Sequence, residues 1–380
     1  MPRLTPSVQN RVKPATEFLF SETLDMLNAM YFTHLVVDAE GMDGWPVEVR
    51  AQMNPDLLTE LDFLYTYPKG QPGVLGILGD LLWARPDVWD SIDTLLNHIR
   101  NLPLGIGESQ ADAGIQGIVW HAAINAYKDL SEHRTPGSDP RAELAAELAE
   151  GFTDGCDGIQ GEPSPFTVDE VLTLYDRPEE LRGRMVSLAE TFYERHYKAV
   201  LPNRRACLER SIASNRGTTE TPAELARRLI GRPDNCIEAG YDKYYFAPSI
   251  DTGPYAGCAI ISTPARIHGL FYPCEPEFLG RTEPNAAEIQ RMSRLYKALS
   301  DEQRLRILSM LRDGEMYAQE IADRLGLHQS VVSRHLSFLK VVGLLLWRRE
   351  NNMKYFSLNP AAEDLMKAPG LVTGPGEGQR

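Results

Sequence analysis

Residues 315–358 read EMYAQEIADRLGLHQSVVSRHLSFLKVVGLLLWRRENNMKYFSL, and this stretch decides the fold of the C-terminal part of the chain. Its first apolar residues recur at helical spacing and predict a helix over 318–325. Gly326 follows, and glycine readily adopts the positive φ that a tight turn between two helices requires. A second helix is predicted over 328–340, and two short strand patterns joined by a polar turn lie within 344–358. The order helix, turn, helix and hairpin is typical of a winged helix-turn-helix.

The second predicted helix has an apolar face and a polar face. Val332, Leu336 and Leu339 lie at the spacing of a buried stripe. The polar face carries types of side chain that recognise base edges, because Gln pairs with adenine, Arg pairs with guanine and Ser reaches bases or phosphates. The alternative is an exposed polar face that binds nothing. We predict that this face contacts DNA through Gln329, Ser330, Ser333, Arg334 and His335.

From about residue 289 to residue 358 the chain resembles the ArsR (arsenic-repressor) family of winged-helix transcriptional regulators. LYKALSDEQRLRILSML (295–311) is similar to the family's opening pair of helices. GLHQSVVSRHLSFLKVVGLL (326–345) resembles its recognition helix, and WRRENNMKYFSL (347–358) resembles its wing. The resemblance implies a dimer that places one recognition helix of each protomer in successive major grooves of double-stranded DNA.

The resemblance also assigns roles to the wing and to two flanking helices. In this family the wing meets phosphates or the minor groove, although any single wing residue is equally compatible with a solvated hairpin. The helix predicted over 288–299 and a short helix over 361–367 would form the dimer. Trp347 is expected to pack under the wing. The predicted wing contacts are Arg348, Arg349, Asn352 and Lys354.

The metal sites of the family are missing from this sequence. Metal-sensing members carry a Cys-x-Cys pair at the start of the third helix, where this chain has Tyr317, Ala318 and Gln319. The predicted helix over 361–367 contains no His. Because soft metals require thiolate ligands, we expect neither a metal site there nor a cofactor.

The charge of the chain is divided between its two parts. The net charge is −14 over 380 residues. Residues 286–360 contain twelve Lys and Arg against eight Asp and Glu, which gives +4, whereas residues 1–285 contain 25 against 42, which gives −17. Only the C-terminal segment is therefore suited to phosphates, and the acidic part should lie away from the duplex.

The fold is predicted to be mainly α. We expect a large helical N-terminal domain with a small β element over 1–284, a winged helix over 285–368 and a disordered tail over 369–380. The β element rests on three runs between residues 244 and 272. The predicted helices of the N-terminal domain are 17–32, 56–67, 76–83, 86–102, 114–130, 141–152, 167–175 and 178–213.

The role of the N-terminal domain is open at this stage. Strands after a helical array and before a winged helix resemble an uncharacterised domain that often precedes such DNA-binding domains. We predict that it senses an unknown small-molecule or protein effector, because no catalytic motif is present and the chain is not expected to be an enzyme. One alternative is an enzyme that carries the winged helix as an autoregulatory or targeting module. Another is a winged helix that binds protein instead of DNA.

Cysteine usage and hydropathy predict the compartment. The five cysteines are scattered and form no CxxC pair, which favours reduced thiols. No apolar run has the length of a membrane span, and the N-terminus lacks a signal-peptide pattern. We therefore expect a cytoplasmic homodimer without membrane contact, acting as a repressor that reads a pseudo-palindromic operator through helix 328–340 and wing 344–358.

Overall fold

The fold was analysed in a computed structural model of the chain. None of the helices in the described part of the chain is both long enough and apolar enough to cross a membrane. The structure describes residues 15–36, 42, 44–66, 73–107, 113–124, 139–151, 167–230, 240–252, 255, 257–261, 266–274, 286–350 and 353–360.

A four-stranded sheet brings together segments from both ends of the N-terminal domain. The strand order is β1-β2-β4-β3. β1 and β4 run parallel to the central strand β2, and β3 runs antiparallel to β4. Six of the seven residues of β2 are buried, as expected for a strand that is covered on both faces. The strands are β1 (Ala15–Phe18), β2 (Lys243–Ser249), β3 (Gly257–Ile261) and β4 (Ile267–Pro273).

Helices make up most of the N-terminal domain. Many begin at a side-chain cap or at a proline, which satisfies or removes free amide groups of the first turn. They are α1 (Glu22–Leu35), α2 (Trp45–Gln52), α3 (Pro55–Tyr65), α4 (Val74–Leu82), α5 (Ile92–Asn101), α6 (Ile115–Ile124), α7 (Pro140–Gly151), α8 (Val168–Asp176), α9 (Pro178–Phe192), α10 (Leu201–Asn215) and α11 (Pro222–Ile230).

The main core lies between these helices and one face of the sheet. Trp83, which follows α4, packs directly against Gly269 of β4, where a Cβ atom would lie only 2.4 Å from the indole ring. The same indole contacts the ring of Phe271 edge to face, with the centroids 5.0 Å apart. Gly269 is therefore required for close helix–sheet packing.

A buried arginine connects the sheet to the helices. Arg204 of α10 lies between the carboxylates of Asp25 on α1 and Asp251 after β2, and all three residues are buried. The basic segment at 204–210 has two interpretations from its sequence, a nucleic-acid patch or pairing with nearby carboxylates. Arg204 and its neighbour Arg205, which pairs with Glu22, confirm the second.

Three helix predictions for this domain were wrong in part. Residues 17 and 18, the predicted start of the helix over 17–32, belong to β1 instead, because this segment adds a parallel strand to β2. The helix predicted over 178–213 is interrupted by a π-turn at Tyr193–Tyr197 and ends before a new helix at Leu201. The helix predicted over 86–102 starts only at Ile92, because Ser91 forms a capping box with Thr94.

The C-terminal domain is a winged helix-turn-helix, as predicted. The wing strands pair with each other, and a short strand before the third helix joins them in the order β5-β7-β6. Val332, Leu336 and Leu339 are buried in a core of this domain. The elements are α12 (Ala286–Leu299), α13 (Glu302–Met310), β5 (Met316–Tyr317), α14 (Ala318–Leu325), α15 (Gln329–Val341), β6 (Leu345–Glu350) and β7 (Met353–Leu358).

The spacing of Ser300 and Gln303 in the sequence predicts a capping box at the start of α13, but the structure differs. Asp301 is the N-cap instead, and its Oδ1 accepts a hydrogen bond from the amide of Arg304 at 2.9 Å. The Ser300 hydroxyl donates to the carbonyl of Lys297 in the preceding helix. The predicted domain boundary, the helix at 361–367 and the tail at 369–380 lie outside the described residues.

Candidate nucleic-acid interface

The recognition helix α15 starts at a well-defined turn. Gly326 has a φ of 64°, which places it in the left-handed region and ends α14. His328 is the N-cap of α15, and its Nδ1 lies 2.7 Å from the Ser330 hydroxyl. Gly326 on one side of the inter-helix turn and His328 on the other therefore fix the orientation of the first turn of α15.

The polar face of α15 presents the predicted side chains. Arg334 is exposed, and Gln329, Ser330 and Ser333 are half-buried. Within the described part of the chain, no carboxylate pairs with Arg334. Its guanidinium carries five N–H donors, a set that suits a guanine edge or a phosphate of DNA.

His335 is placed differently from the other four predicted residues of this helix. Its Nδ1 lies 3.9 Å from Oδ1 of Asp301, the N-cap of α13. Burial opposes ionisation of Asp301, but the amide of Arg304 and the nearby His335 hold the pKa of this carboxyl below its ordinary value. His335 thus connects the recognition helix to α13, and a contact with phosphate stays a prediction.

The described wing residues are engaged with their neighbours. The Arg348 Nε donates to Oε2 of Glu315 at 2.8 Å, and its guanidinium lies 4.8 Å from the centre of the Tyr355 ring. This hydrogen bond lowers the pKa of Glu315. The side chain of Arg349 and all of Asn352 lie outside the described residues.

Trp347, which was expected to pack under the wing, lies beside two lysines. The half-buried Trp347 ring has Lys340 Nζ 5.8 Å from its centre and Lys354 Nζ 5.9 Å from it. Lys354 was predicted as a contact, whereas Lys340, the penultimate residue of α15, was not. Hairpin pairing accounts only for Lys354, because Lys340 comes from α15, and its approach to Trp347 depends on how this helix packs against β6.

The N-terminal domain offers no metal centre in the residues that the structure describes. No group of three or more His, Cys, Asp or Glu side chains there is arranged to hold a metal ion. The carboxylates of Asp25 and Asp251 are both occupied by Arg204.

Comparisons with known proteins match the C-terminal part of the chain. The family model described as bacterial regulatory protein, arsR family, matches residues 301–345. The transcriptional repressor SdpR of Bacillus subtilis is 35% identical over 68 residues, covering 18% of this chain and 76% of that protein. The transcriptional activator HlyU of Vibrio cholerae is 42% identical over 65 residues, covering 17% of this chain and 60% of that protein.

The chain is also similar to a further relative and to two solved structures. An HTH-type transcriptional regulator of Mycobacterium tuberculosis is 34% identical over 93 residues, which cover 24% of this chain and 40% of that protein. The structure of HlyU from Vibrio cholerae is 34% identical, covers 23% of this chain and 91% of that one, and has a TM-score of 0.20. A homodimeric winged helix-turn-helix DNA-binding domain from Mycobacterium bovis is 31% identical. The match covers 24% of this chain and 87% of that one, with a TM-score of 0.22. The chain thus spans 40% and 60% of the length of two of its relatives.

Proposed function

This chain belongs to the arsR family of bacterial regulatory proteins, and from this premise we propose that it is a dimeric, DNA-binding transcriptional repressor. The observation that carries the proposal is the polar face of α15. It combines an exposed Arg334 that has no acidic partner among the described residues with Gln329, Ser330 and Ser333. These side chains match the donors and acceptors of base edges in the major groove.

The charge of the two domains supports the same proposal. The +4 of residues 286–360 attracts phosphate, and the −17 of residues 1–285 repels it. The winged helix therefore faces the duplex, and the N-terminal domain carries a different task, which we propose is to sense a small-molecule or protein effector.

Exposed apolar side chains of the winged helix support the dimer. Ile289 and Tyr296 of α12 are 42% and 51% exposed, and they lie seven residues apart on one face of the helix. In the family that the sequence resembles, this helix helps to form the dimer. A two-fold dimer would present its recognition helices to a pseudo-palindromic operator, at a spacing of one helical turn of DNA.

The test is a salt-titrated DNA-binding assay of the full-length protein. Fluorescence anisotropy would compare DNA from the protein's own upstream region with shuffled DNA. The variant Gln329→Ala/Arg334→Ala should lose at least about tenfold in preference for the upstream DNA, since each bidentate base contact contributes about 1–3 kcal/mol of discrimination.

A matched control lies on the preceding helix. Gln319 and Arg324 have the same types of side chain at the same five-residue spacing, and both are exposed on α14. Gln319→Ala/Arg324→Ala should keep the preference for upstream DNA. Weak binding that is equal for all proteins and sequences would contradict DNA recognition, and a promoter–reporter assay would then lack repression as well.

A further inference from the structure

Four buried apolar residues form a contact between the two domains. Phe32 and Leu35 belong to α1, Tyr255 follows β2, and Val341 is the last residue of the recognition helix. They are between 1% and 9% exposed. Tyr31 packs against this cluster from the side of the N-terminal domain. We name these four residues the docking cluster.

On the DNA-binding side, the docking cluster reaches the end of α15 that is far from the base-reading residues. Val341 lies twelve residues after Gln329, which corresponds to about 18 Å along a helix. Both ends of the recognition helix can therefore be occupied at once. Arg334 is exposed while Val341 is buried against the N-terminal domain.

Val341 is also tied to the base of the wing. Gly343, two residues later, has a φ of 81° and turns the chain into β6. The Asn359 Nδ2 at the end of β7 donates to the Gly343 carbonyl at 2.7 Å. A displacement at Val341 would thus move the recognition helix and the wing together.

On the N-terminal side, α1 and the segment after β2 form one platform. Arg204 pairs with Asp25 of α1 and with Asp251 after β2. The Asn28 Nδ2 donates to the Ser249 hydroxyl at 2.8 Å, which adds a second buried connection. The Tyr255 amide donates to a carbonyl of this segment, that of Thr252, at 2.7 Å. A displacement of α1 or of the segment after β2 would therefore move Tyr255 and Phe32 together.

We propose that the N-terminal domain docks on the C-terminal end of the recognition helix through the docking cluster, and that this contact transmits its state to the DNA-binding face. Among the described residues this cluster has four members, against about 20–30 residues a side in a standard interface, and such a small cluster suits a contact that opens and closes. The transmission half of this inference rests on the proposed DNA-binding function. The docking half does not.

Docking is tested by hydrogen–deuterium exchange of the full-length protein without DNA. Val341→Asp places a charge in the cluster and should speed exchange of the amides at 32–35 in α1. Val331→Asp is the matched control, because it makes the same change on the same helix at a position that is 36% exposed. It should leave exchange in α1 unchanged.

A second variant, on the N-terminal side of the cluster, controls for unfolding of the winged helix by Val341→Asp. Tyr255→Asp changes only the N-terminal side, and it should speed exchange at 337–341 while α13 and α14 remain protected as in the wild type. If neither Val341→Asp nor Tyr255→Asp alters exchange across the contact, the two domains do not dock in this way.

Transmission is tested with the Tyr255→Asp variant and upstream DNA. Because its base-reading face is intact, its affinity should differ from the wild type by about fivefold or more if the domains are coupled. Altered exchange with unaltered affinity would overturn transmission and leave docking in place. Wild-type protein that fails to bind DNA would refute the proposed function instead, and the exchange result would still decide on docking.

Discussion

The guanidinium of Arg204 binds the carboxylate of Asp25 in a two-pronged arrangement, with Nε 2.8 Å from Oδ2 and Nη2 2.9 Å from Oδ1. Both residues are buried, and the Tyr197 hydroxyl donates to the same Oδ2 at 2.6 Å. Burial, followed by the Asp25 charge, raises the pKa of Tyr197, which keeps this hydroxyl a donor. The arrangement fixes α1 to α10 by charge-assisted hydrogen bonds.

Replacing Arg204 by Met should destabilise the N-terminal domain by about 3–5 kcal/mol, because two buried carboxylates would lose their only cation among the described residues. The measurement is urea unfolding of the full-length protein, followed by circular dichroism. Arg205→Met is the control, since this neighbouring side chain is 43% exposed and pairs with Glu22 at 3.1 Å. It should cost less than Arg204→Met, because the single buried carboxylate of Glu22 would keep its hydrogen bond from the amide of Ile92. Equal losses for the two variants would contradict the special role of Arg204.

Asp80 on α4 predicts a pH dependence of stability. Burial raises the pKa of this carboxyl from 3.8 to about 7, and burial followed by the Asp80 charge raises the pKa of Tyr31 to about 12. In the unfolded chain Asp80 ionises near its ordinary value. The folded state therefore loses stability as pH rises from about 4 to about 7.

Asp80→Asn should remove this loss. At about 1.4 kcal/mol for each pH unit between the two values, the upper limit is ~4 kcal/mol, and the partial exposure of Asp80 reduces the expected gain to about 2 kcal/mol above pH 7. Below pH 4 the two proteins should unfold at the same urea concentration. Unfolding midpoints measured from pH 4 to pH 8 check this, and a difference that does not vary with pH would contradict it.

Gly269→Ala should destabilise the N-terminal domain by about 1–3 kcal/mol, because the new methyl group would overlap the buried indole of Trp83. Gly183→Ala is the opposite case. Gly183 lies in α9 with open space around its Cβ position, and alanine there should stabilise the helix by about 0.5–1 kcal/mol. Thermal unfolding measures whether each variant is less or more stable than the wild type. A Gly269→Ala variant with unchanged stability would show that Trp83 readily moves aside.

The winged helix was predicted from the sequence far better than the N-terminal domain. Its elements depend on residues close together in the chain, whereas some of the other domain's elements depend on residues far apart. The predicted helix 318–325 coincides with α14, since its apolar period and the terminating Gly326 are local signals. β1, by contrast, is four residues long and becomes a strand only through pairing with β2, more than 220 residues away in the chain. No local pattern indicates such a pairing.

The candidate site shows the same division. The polar face of α15 follows from residue types at helical spacing. The turning of His335 towards Asp301 depends on how α13 packs against α15, which the sequence alone does not give. The docking of Val341 against Phe32 likewise joins residues about 300 positions apart.

Tyr296→Glu should dissociate the proposed dimer. A charge at this exposed apolar position of α12 would have to be buried between protomers, and the dimer dissociation constant should rise tenfold or more, which corresponds to ~1.4 kcal/mol. Val47→Glu on α2 is the control, because Val47 is an exposed apolar residue (37%) in the other domain. Sedimentation velocity over a range of concentrations measures both, and identical behaviour would place the dimer contact elsewhere.

Arg334 and Lys354 should contribute to DNA binding in different ways. Arg334→Ala removes a side chain that reads base edges, so it should lower affinity for upstream DNA by about 1–3 kcal/mol and relax sequence preference at one position. Lys354→Ala removes a charge beside Trp347 at the base of the wing. It should weaken binding about equally for every sequence and reduce the slope of log affinity against log salt by about 1. Anisotropy titrations at four salt concentrations, on upstream and shuffled DNA, separate the two effects. An Arg334→Ala variant that loses affinity equally on both DNAs would assign Arg334 to the phosphates instead of the bases.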